Sequence, residues 1–319
     1  MTEMPPAEVA PRLLYVLGSM RSGTTMISRL IGSAPGTLAI GELNNTWRII
    51  ELDQRCSCGA TTTDCRVWGP SLVSIAAVEL AGEMRELRAR VERQRRIVEL
   101  LRLRQVPRRR WPADVARYVD VLRALIDSLS EHSGATTLVD SSKSAAGFCL
   151  AWLAVSGSVS AVHLLRDPRG VVFSEARRTH ESDLFTKAPP RRRSVFRSLS
   201  EWNLANAEAT FLGRAAASYV SVWYEDICRD PATSLDIIWR QSGVPAGARF
   251  ESSSSALLTT AHILAGNPSR IGQGIDLQLD EEWRRRLSVG EQRAISVATL
   301  PTRALVSVAN RLVGAKKDA

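Results

Sequence analysis

LLYVLGSMRSGTTMISRLIG, residues Leu13 to Gly32, decides the reading of this chain. Leu13-Leu14-Tyr15-Val16-Leu17 is a short apolar run of the kind that forms a buried parallel strand. Gly18 to Gly23 interrupts it, and Thr24-Thr25 then open a helical pattern with Met26, Ile27, Leu30 and Ile31 on one face. A strand that turns tightly into a helix start gathers free backbone N–H groups and the positive end of the helix dipole at one point. Arg21 adds a full charge there, and Ser22, Thr24 and Thr25 add hydroxyls. The loop is expected to hold a phosphate-like anion.

Outward from this loop, four more short strands are expected: Thr37–Gly41, Thr136–Asp140, Ala161–Arg166 and Tyr219–Tyr224. Most are followed by a helical pattern, and the runs are apolar throughout rather than alternating. That combination predicts an α/β protein with a central parallel sheet covered on both faces, whose ligands bind at the carboxyl ends of the strands. Gly82 to Leu103 reads as one long amphipathic helix. A breaker, Val106-Pro107-Arg108-Arg109-Arg110, separates it from a second helix over Asp114 to about Ser130. This stretch is too long for a simple crossover, so the chain is expected to be a single domain with a helical cap or insertion at about 70–132.

The 319 residues carry a formal net charge of +9, with 45% hydrophobic and 24% charged residues, ordinary for a globular chain with an anionic partner. MTEMPPAEVAPR at the start has no apolar stretch, and the apolar segment 151–165 is too short to span a bilayer. No transmembrane segment and a cytoplasmic location are expected. Cys56, Cys58 and Cys65 cluster in RCSCGATTTDCRVW, but no fourth zinc ligand is visible beside them. A thiol-rich or disulfide-pinned loop is therefore expected rather than a metal. Cys149 and Cys228 read as core filler.

The Gly18–Thr25 loop lacks the lysine of the nucleotide-triphosphate pattern GxxxxGK[ST], and Arg21 takes up the charge role. A second motif runs from His163 to Arg178: Arg166 at a strand end, Pro168 opening a helix, and Ser174 eight residues after Arg166. Both side chains can converge on one phosphate; an ordinary strand–helix junction with an Arg–Asp pair is the plain alternative.

Together these motifs resemble the sulfotransferases that use 3′-phosphoadenosine 5′-phosphosulfate (PAPS). Met20-Arg21-Ser22-Gly23-Thr24-Thr25 looks like the family's 5′-phosphosulfate loop, and Arg166 with Ser174 like its 3′-phosphate motif. Gly266-Asn267-Pro268-Ser269-Arg270-Ile271-Gly272 is similar to the late loop of bacterial members, and Asp280-Glu281-Glu282-Trp283 echoes the segment after it. Val139 to Ser144 and Trp223 to Asp226 are further landmarks. The resemblance implies a three-layer P-loop-like fold and PAPS as co-substrate with no metal. The binding residues it implies are Arg21, Ser22, Gly23, Thr24, Thr25, Arg166, Ser174, Tyr224, Asn267, Arg270, Ile271 and Gly272. The catalytic set is Arg21, Glu42 as base and Lys143 beside the leaving phosphate. His180 and His262 are the rival bases. A small-molecule or glycan acceptor is expected, and no nucleic acid. Two other readings compete: a P-loop kinase, which the missing lysine disfavours, and a non-enzymatic anion-binding protein driven by charge alone.

Overall fold

Arg12–Gly18 forms β1, the middle strand of a five-stranded sheet. The structure is a computed structural model that describes residues 11–156, 159–177, 194–247, 255–258, 261–266 and 274–315. The other strands are β2 (Thr37–Gly41), β3 (Thr137–Lys143), β4 (Val159–Leu165) and β5 (Ser218–Trp223). They lie in the order β2-β3-β1-β4-β5, and every pairing is parallel. All five expected strands are present, with ends shifted by one to three residues where they differ.

The unbroken apolar runs are explained by two cores. Leu13, Tyr15 and Leu17 face one side of the sheet and pack in a cluster with Trp47, Trp68 and Phe148. Leu14 and Val16 face the other, with Ile27, Leu30, Ile238 and Trp239. The second side carries α1 (Thr24–Ile31), α10 (Tyr224–Arg229) and α11 (Pro231–Ser242). The first carries α7 (Ala145–Ala154) and α9 (Val195–Gly213). This is the three-layer P-loop-like arrangement expected. Between α7 and α9 in the chain lies α8 (Pro168–Ala176), which, with α9, supports the long α13 (Val289–Ala315). The sequence reading missed α13. A short antiparallel pair, β6 (Ser255–Leu257) and β7 (Gly274–Asp276), and α12 (Trp283–Arg286) complete the set.

Between β2 and β3 come α2 (Thr46–Glu51), α3 (Trp68–Ser74), α4 (Ala77–Val91), α5 (Ile97–Leu103) and α6 (Ala113–Ser133). The single helix expected over Gly82–Leu103 is two helices. Arg93 is extended and residues Gln94–Arg96 form a 3₁₀ turn. Local propensity favours continuity, but ion pairing favours the bend. Arg96 lies 2.9 Å from Glu99 and 2.6 Å from Asp114, drawing the chain toward α6, while Glu92 turns inward and pairs with Arg88 at 2.7 Å. Among the described residues no helix is long and apolar enough to cross a membrane.

His163, in β4, is fully buried. Asn206 spends its amide N–H on the Trp202 carbonyl at 2.8 Å, so its Oδ1 accepts from His163 Nε2–H at 2.9 Å, and His163 Nδ1 accepts from the Tyr219 hydroxyl at 2.8 Å. Burial lowers the imidazole pKa to about 4. Because the unfolded chain takes up this proton first, stability falls as pH drops through about 6.5 toward 4, by up to about 3 kcal/mol. Denaturant unfolding at pH 7.5 and 4.5 is expected to show a smaller pH difference in His163→Gln than in wild type.

Candidate active site

The loop from Gly18 to Gly23 sits at the carboxyl end of the central strand. Its backbone is left-handed at Arg21 (φ 61°) and at Gly23 (φ 93°). Gly23 is demanded twice: by that φ, and by the Tyr224 ring, which a Cβ would meet at 3.0 Å. α1 begins without a side-chain cap and without an acidic residue in its first turn. A helix start left uncapped at the mouth of a sheet is a cradle for an anion. Ser22, Thr24 and Thr25 are buried around it. The Ser22 hydroxyl donates to the Ser19 carbonyl at 2.7 Å, so it stiffens the loop.

Arg21 and Ser174 are 153 positions apart in sequence, yet Arg21 Nε donates to Ser174 Oγ at 3.0 Å. Arg166 Nη1 donates to the Arg21 carbonyl at 2.8 Å. The two motifs therefore form one contiguous surface at the ends of β1 and β4. Arg166 is almost fully buried, its guanidinium 4.6 Å above the Tyr224 ring and 3.1 Å from the Asp280 carboxylate. The Tyr224 hydroxyl donates to the Gln278 carbonyl at 2.9 Å, and burial raises its pKa. Arg177 also reaches Asp280, at 3.4 Å, and pairs with Glu282. The Asp280–Trp283 segment thus closes one side of the surface, with Trp283 stacked 4.2 Å under Arg169.

On the other side of β1 stand Glu42 and Lys143. Glu42 follows β2 directly, and its side chain does not cap the turn over Leu43–Asn45 that comes next. Its Oε1 accepts from Lys143 Nζ at 2.5 Å and its Oε2 from Asn45 Nδ2 at 2.7 Å. Lys143 closes β3 with a left-handed backbone (φ 68°), and this turn aims its ammonium back across the sheet. Nζ also donates to the Ser141 carbonyl at 3.0 Å and to Thr24 Oγ1 at 3.4 Å. One cation therefore ties the Glu42 carboxylate to the start of α1. A surface pair of Lys143 with Asp140 is not formed. Asp140 is buried and accepts from the Leu43 N–H at 3.2 Å, the Ser142 N–H at 2.8 Å and the Ser142 hydroxyl at 2.5 Å. Burial lifts its pKa to about 7 against those bonds. It fastens the end of β3 to the turn that carries Glu42.

Ten of the expected site residues are thus gathered along the carboxyl ends of β1 to β5: Arg21, Ser22, Gly23, Thr24, Thr25, Glu42, Lys143, Arg166, Ser174 and Tyr224. Asn267, Arg270, Ile271 and Gly272 lie outside the described residues, as do His180 and the basic segment Arg191–Arg193. His262 is not a base facing the cleft. It is buried against the cysteines, 3.2 Å from Cys65 Sγ and 3.9 Å from Cys56 Sγ. His262 brings a fourth potential ligand atom beside Cys56, Cys58 and Cys65, which the local sequence does not show, and among the described residues all five cysteines are free of disulfides. In sequence Asp280 reads as a landmark, and Asp140 as a landmark or as a surface partner of Lys143. Neither carried a signal, since the one partner lies 114 positions away and the other's role is set by burial.

Comparison with known proteins gives the fold a family. No curated protein matches the chain significantly in sequence. Among solved structures it is similar to the sulfotransferase domain of the Synechococcus PCC 7002 olefin synthase, with 19% identity, a TM-score of 0.48, and coverage of 94% of this chain and 98% of that one. It is also similar to the sulfotransferase domain from the curacin biosynthetic pathway, with 16% identity, a TM-score of 0.49, and coverage of 90% and 96%. The profile of the sulfotransferase family matches residues 14–247, which include the Arg21 loop, Glu42, Lys143 and the Arg166–Ser174 motif. The chain belongs to the sulfotransferase family.

Proposed function

We propose that this enzyme transfers a sulfuryl group from PAPS to a hydroxyl of a carbohydrate, glycolipid or small natural-product acceptor. The observation that carries the reading is the meeting of Arg21 with Ser174 and Arg166 across one cleft. A ligand phosphorylated at both ends needs two anion sites at fixed separation. The Gly18–Thr25 cradle supplies one and the Arg166–Ser174 corner the other. The fit of the residues present supports it: an uncapped helix start, and buried cations with no metal required to supply positive charge.

In this reading the loop N–H groups hold the 5′-phosphosulfate, and Arg21 spans from that loop to Ser174. Arg166, Ser174 and Tyr224 line the 3′-phosphate end, joined by Asn267, Arg270, Ile271 and Gly272 of the late loop. The acceptor oxygen attacks sulfur in line, and its proton passes to Glu42. The bond from sulfur to the bridging phosphate oxygen breaks, and adenosine 3′,5′-bisphosphate departs with the electron pair. Lys143 stands between Glu42 and Thr24, where it neutralises charge building on that oxygen. Each Glu42 oxygen accepts one hydrogen bond in the structure, which leaves lone pairs for the acceptor hydroxyl. As in phosphoryl transfer, the protein contributes mainly position and fixed charge. The helices from about 70 to 132 cap this single domain on the acceptor side. Of the aromatics there and just before them, Trp47, Trp68 and Tyr118 are buried in the core and Trp111 is half-buried against it. The enzyme is taken to act in the cytoplasm, without a nucleic-acid partner.

Thermal denaturation with a nucleotide panel tests the donor. Adenosine 3′,5′-bisphosphate is expected to raise the melting temperature by several degrees at saturating concentration, with little shift from AMP or magnesium-ATP. Equal stabilisation by AMP indicates general anion binding, and preference for magnesium-ATP indicates a kinase. Acceptors then follow from screening with labelled PAPS.

A further inference from the structure

The cleft leaves the cysteine cluster unexplained. Cys56, Cys58, Cys65 and His262 each offer one ligand atom, and the four atoms lie within 4.8 Å of one another. Cys58 Sγ is 3.8 Å from Cys65 Sγ, and His262 Nδ1 is 3.2 Å and 3.9 Å from the sulfurs of Cys65 and Cys56. Around a tetrahedral zinc with ordinary bond lengths, sulfur atoms stand about 3.8 Å apart and sulfur and nitrogen about 3.5 Å apart. We propose that these four residues hold one structural zinc ion, bound by three thiolates and His262 Nδ1.

The donor set and its enclosure agree. Three sulfurs and an imidazole form one of the ligand combinations of structural zinc, and soft thiolates select it over magnesium or calcium. Cys56, Cys65 and His262 are buried, so the site is closed, as structural sites are. A disulfide uses only two of the three thiols and strands the third beside the imidazole. The backbone is folded for the purpose. The Gly59 N–H bonds the Cys56 carbonyl at 2.9 Å, the Cys56 N–H bonds the Ala60 carbonyl at 2.9 Å, and Gly59 is left-handed (φ 96°), which turns Cys58 back beside Cys56. His262 Nε2 lies 3.3 Å from Arg66 Nε. With Nδ1 on the metal, Nε2 keeps the ring proton, and Arg66, which is exposed, turns to solvent. On binding, the three thiols release their protons to water.

The ion ties two distant pieces of chain. Ser57 and Trp68 already clasp the segment around His262: Ser57 N–H to the Ile263 carbonyl at 3.0 Å, Trp68 Nε1 to the His262 carbonyl at 2.6 Å, and the Ser57 hydroxyl to the Ala261 carbonyl at 2.7 Å. Leu264 N–H then bonds the Ile40 carbonyl of β2 at 3.3 Å, and a Cβ on Gly266 would meet Thr25 Oγ1 at 3.0 Å. The metal therefore fixes the segment that runs from the cysteine hairpin, past the strand before Glu42, to the start of α1.

The test is metal content. The full chain, produced in zinc-supplemented medium and purified under reductant without a histidine tag or chelator, is expected to contain about one zinc per chain by elemental analysis. The zinc-stripped protein, titrated with cobalt chloride, is expected to develop a thiolate-to-cobalt charge-transfer band that zinc chloride then abolishes. Cys65→Ser and His262→Asn each lose most of the zinc and melt at a lower temperature than wild type. The wild-type measurements stand even if those variants fail to fold. Reduced wild-type protein that holds no stoichiometric zinc, or that gives no such band with cobalt, overturns the proposal. None of these readouts depends on sulfuryl transfer.

Discussion

Replacing Arg21 with alanine is expected to lower turnover by about 10²–10³-fold, the loss seen when one fixed charge-stabilising donor is removed from an active site. In the proposed reading Arg21 lies beside the breaking bond; its side chain reaches Ser174 at 3.0 Å, while its carbonyl anchors Arg166 at 2.8 Å. Truncation keeps the backbone anchor and deletes the charge, so the fold survives. Arg21→Lys is expected to recover only part of the loss, because an ammonium lacks the planar fork that serves two acceptors at once. Steady-state kinetics with labelled PAPS reads the effect. An alanine variant with wild-type kcat and only a raised donor KM would show that Arg21 binds the ground state and transition state equally, removing it from the catalytic set.

Glu42→Gln is expected to lower kcat by about 10²–10⁴-fold, the range for loss of a positioned general base. Glutamine keeps the size, and its one oxygen can still accept from Lys143 while the bond from Asn45 Nδ2 is lost, so donor binding, read as the melting shift with adenosine 3′,5′-bisphosphate, is expected to stay near wild type. Lys143→Met should also cut kcat, since Nζ holds Glu42 Oε1 at 2.5 Å and reaches Thr24 at 3.4 Å. The double variant is expected to be scarcely worse than the poorer single one, because the two side chains act as a unit. Near-normal turnover in Glu42→Gln with a full response to donor would move the base elsewhere.

Much of this arrangement was legible in Leu13–Gly32, Arg166–Ser174 and the short apolar strands, because parallel strands buried on both faces and tight strand–helix turns are local patterns. Arg21, Glu42 and Lys143 could be placed at strand ends for the same reason. What could not be read depends on distant partners. The Gly82–Leu103 helix breaks because Arg96 pairs with Asp114, a contact that propensity cannot anticipate. His262 reads as a lone histidine near a cofactor loop until the fold carries it to Cys65, 197 positions away. Asp280 looks like one acid in an acidic run, and only the tertiary structure sets it on Arg166.

That last pairing gives the Arg166 guanidinium an anionic partner of its own. The fork of Arg166 rests on Asp280, and the segment bearing Asp280 is pinned by Tyr224 through Gln278. If the 3′-phosphate binds at this corner as proposed, it has to evict a tethered carboxylate, and the same carboxylate would reclaim the guanidinium when spent nucleotide leaves. On that proposal Asp280 would be an intramolecular rival at fixed concentration, trading some donor affinity for quicker product departure. Asp280→Asn should therefore hold adenosine 3′,5′-bisphosphate longer than wild type does.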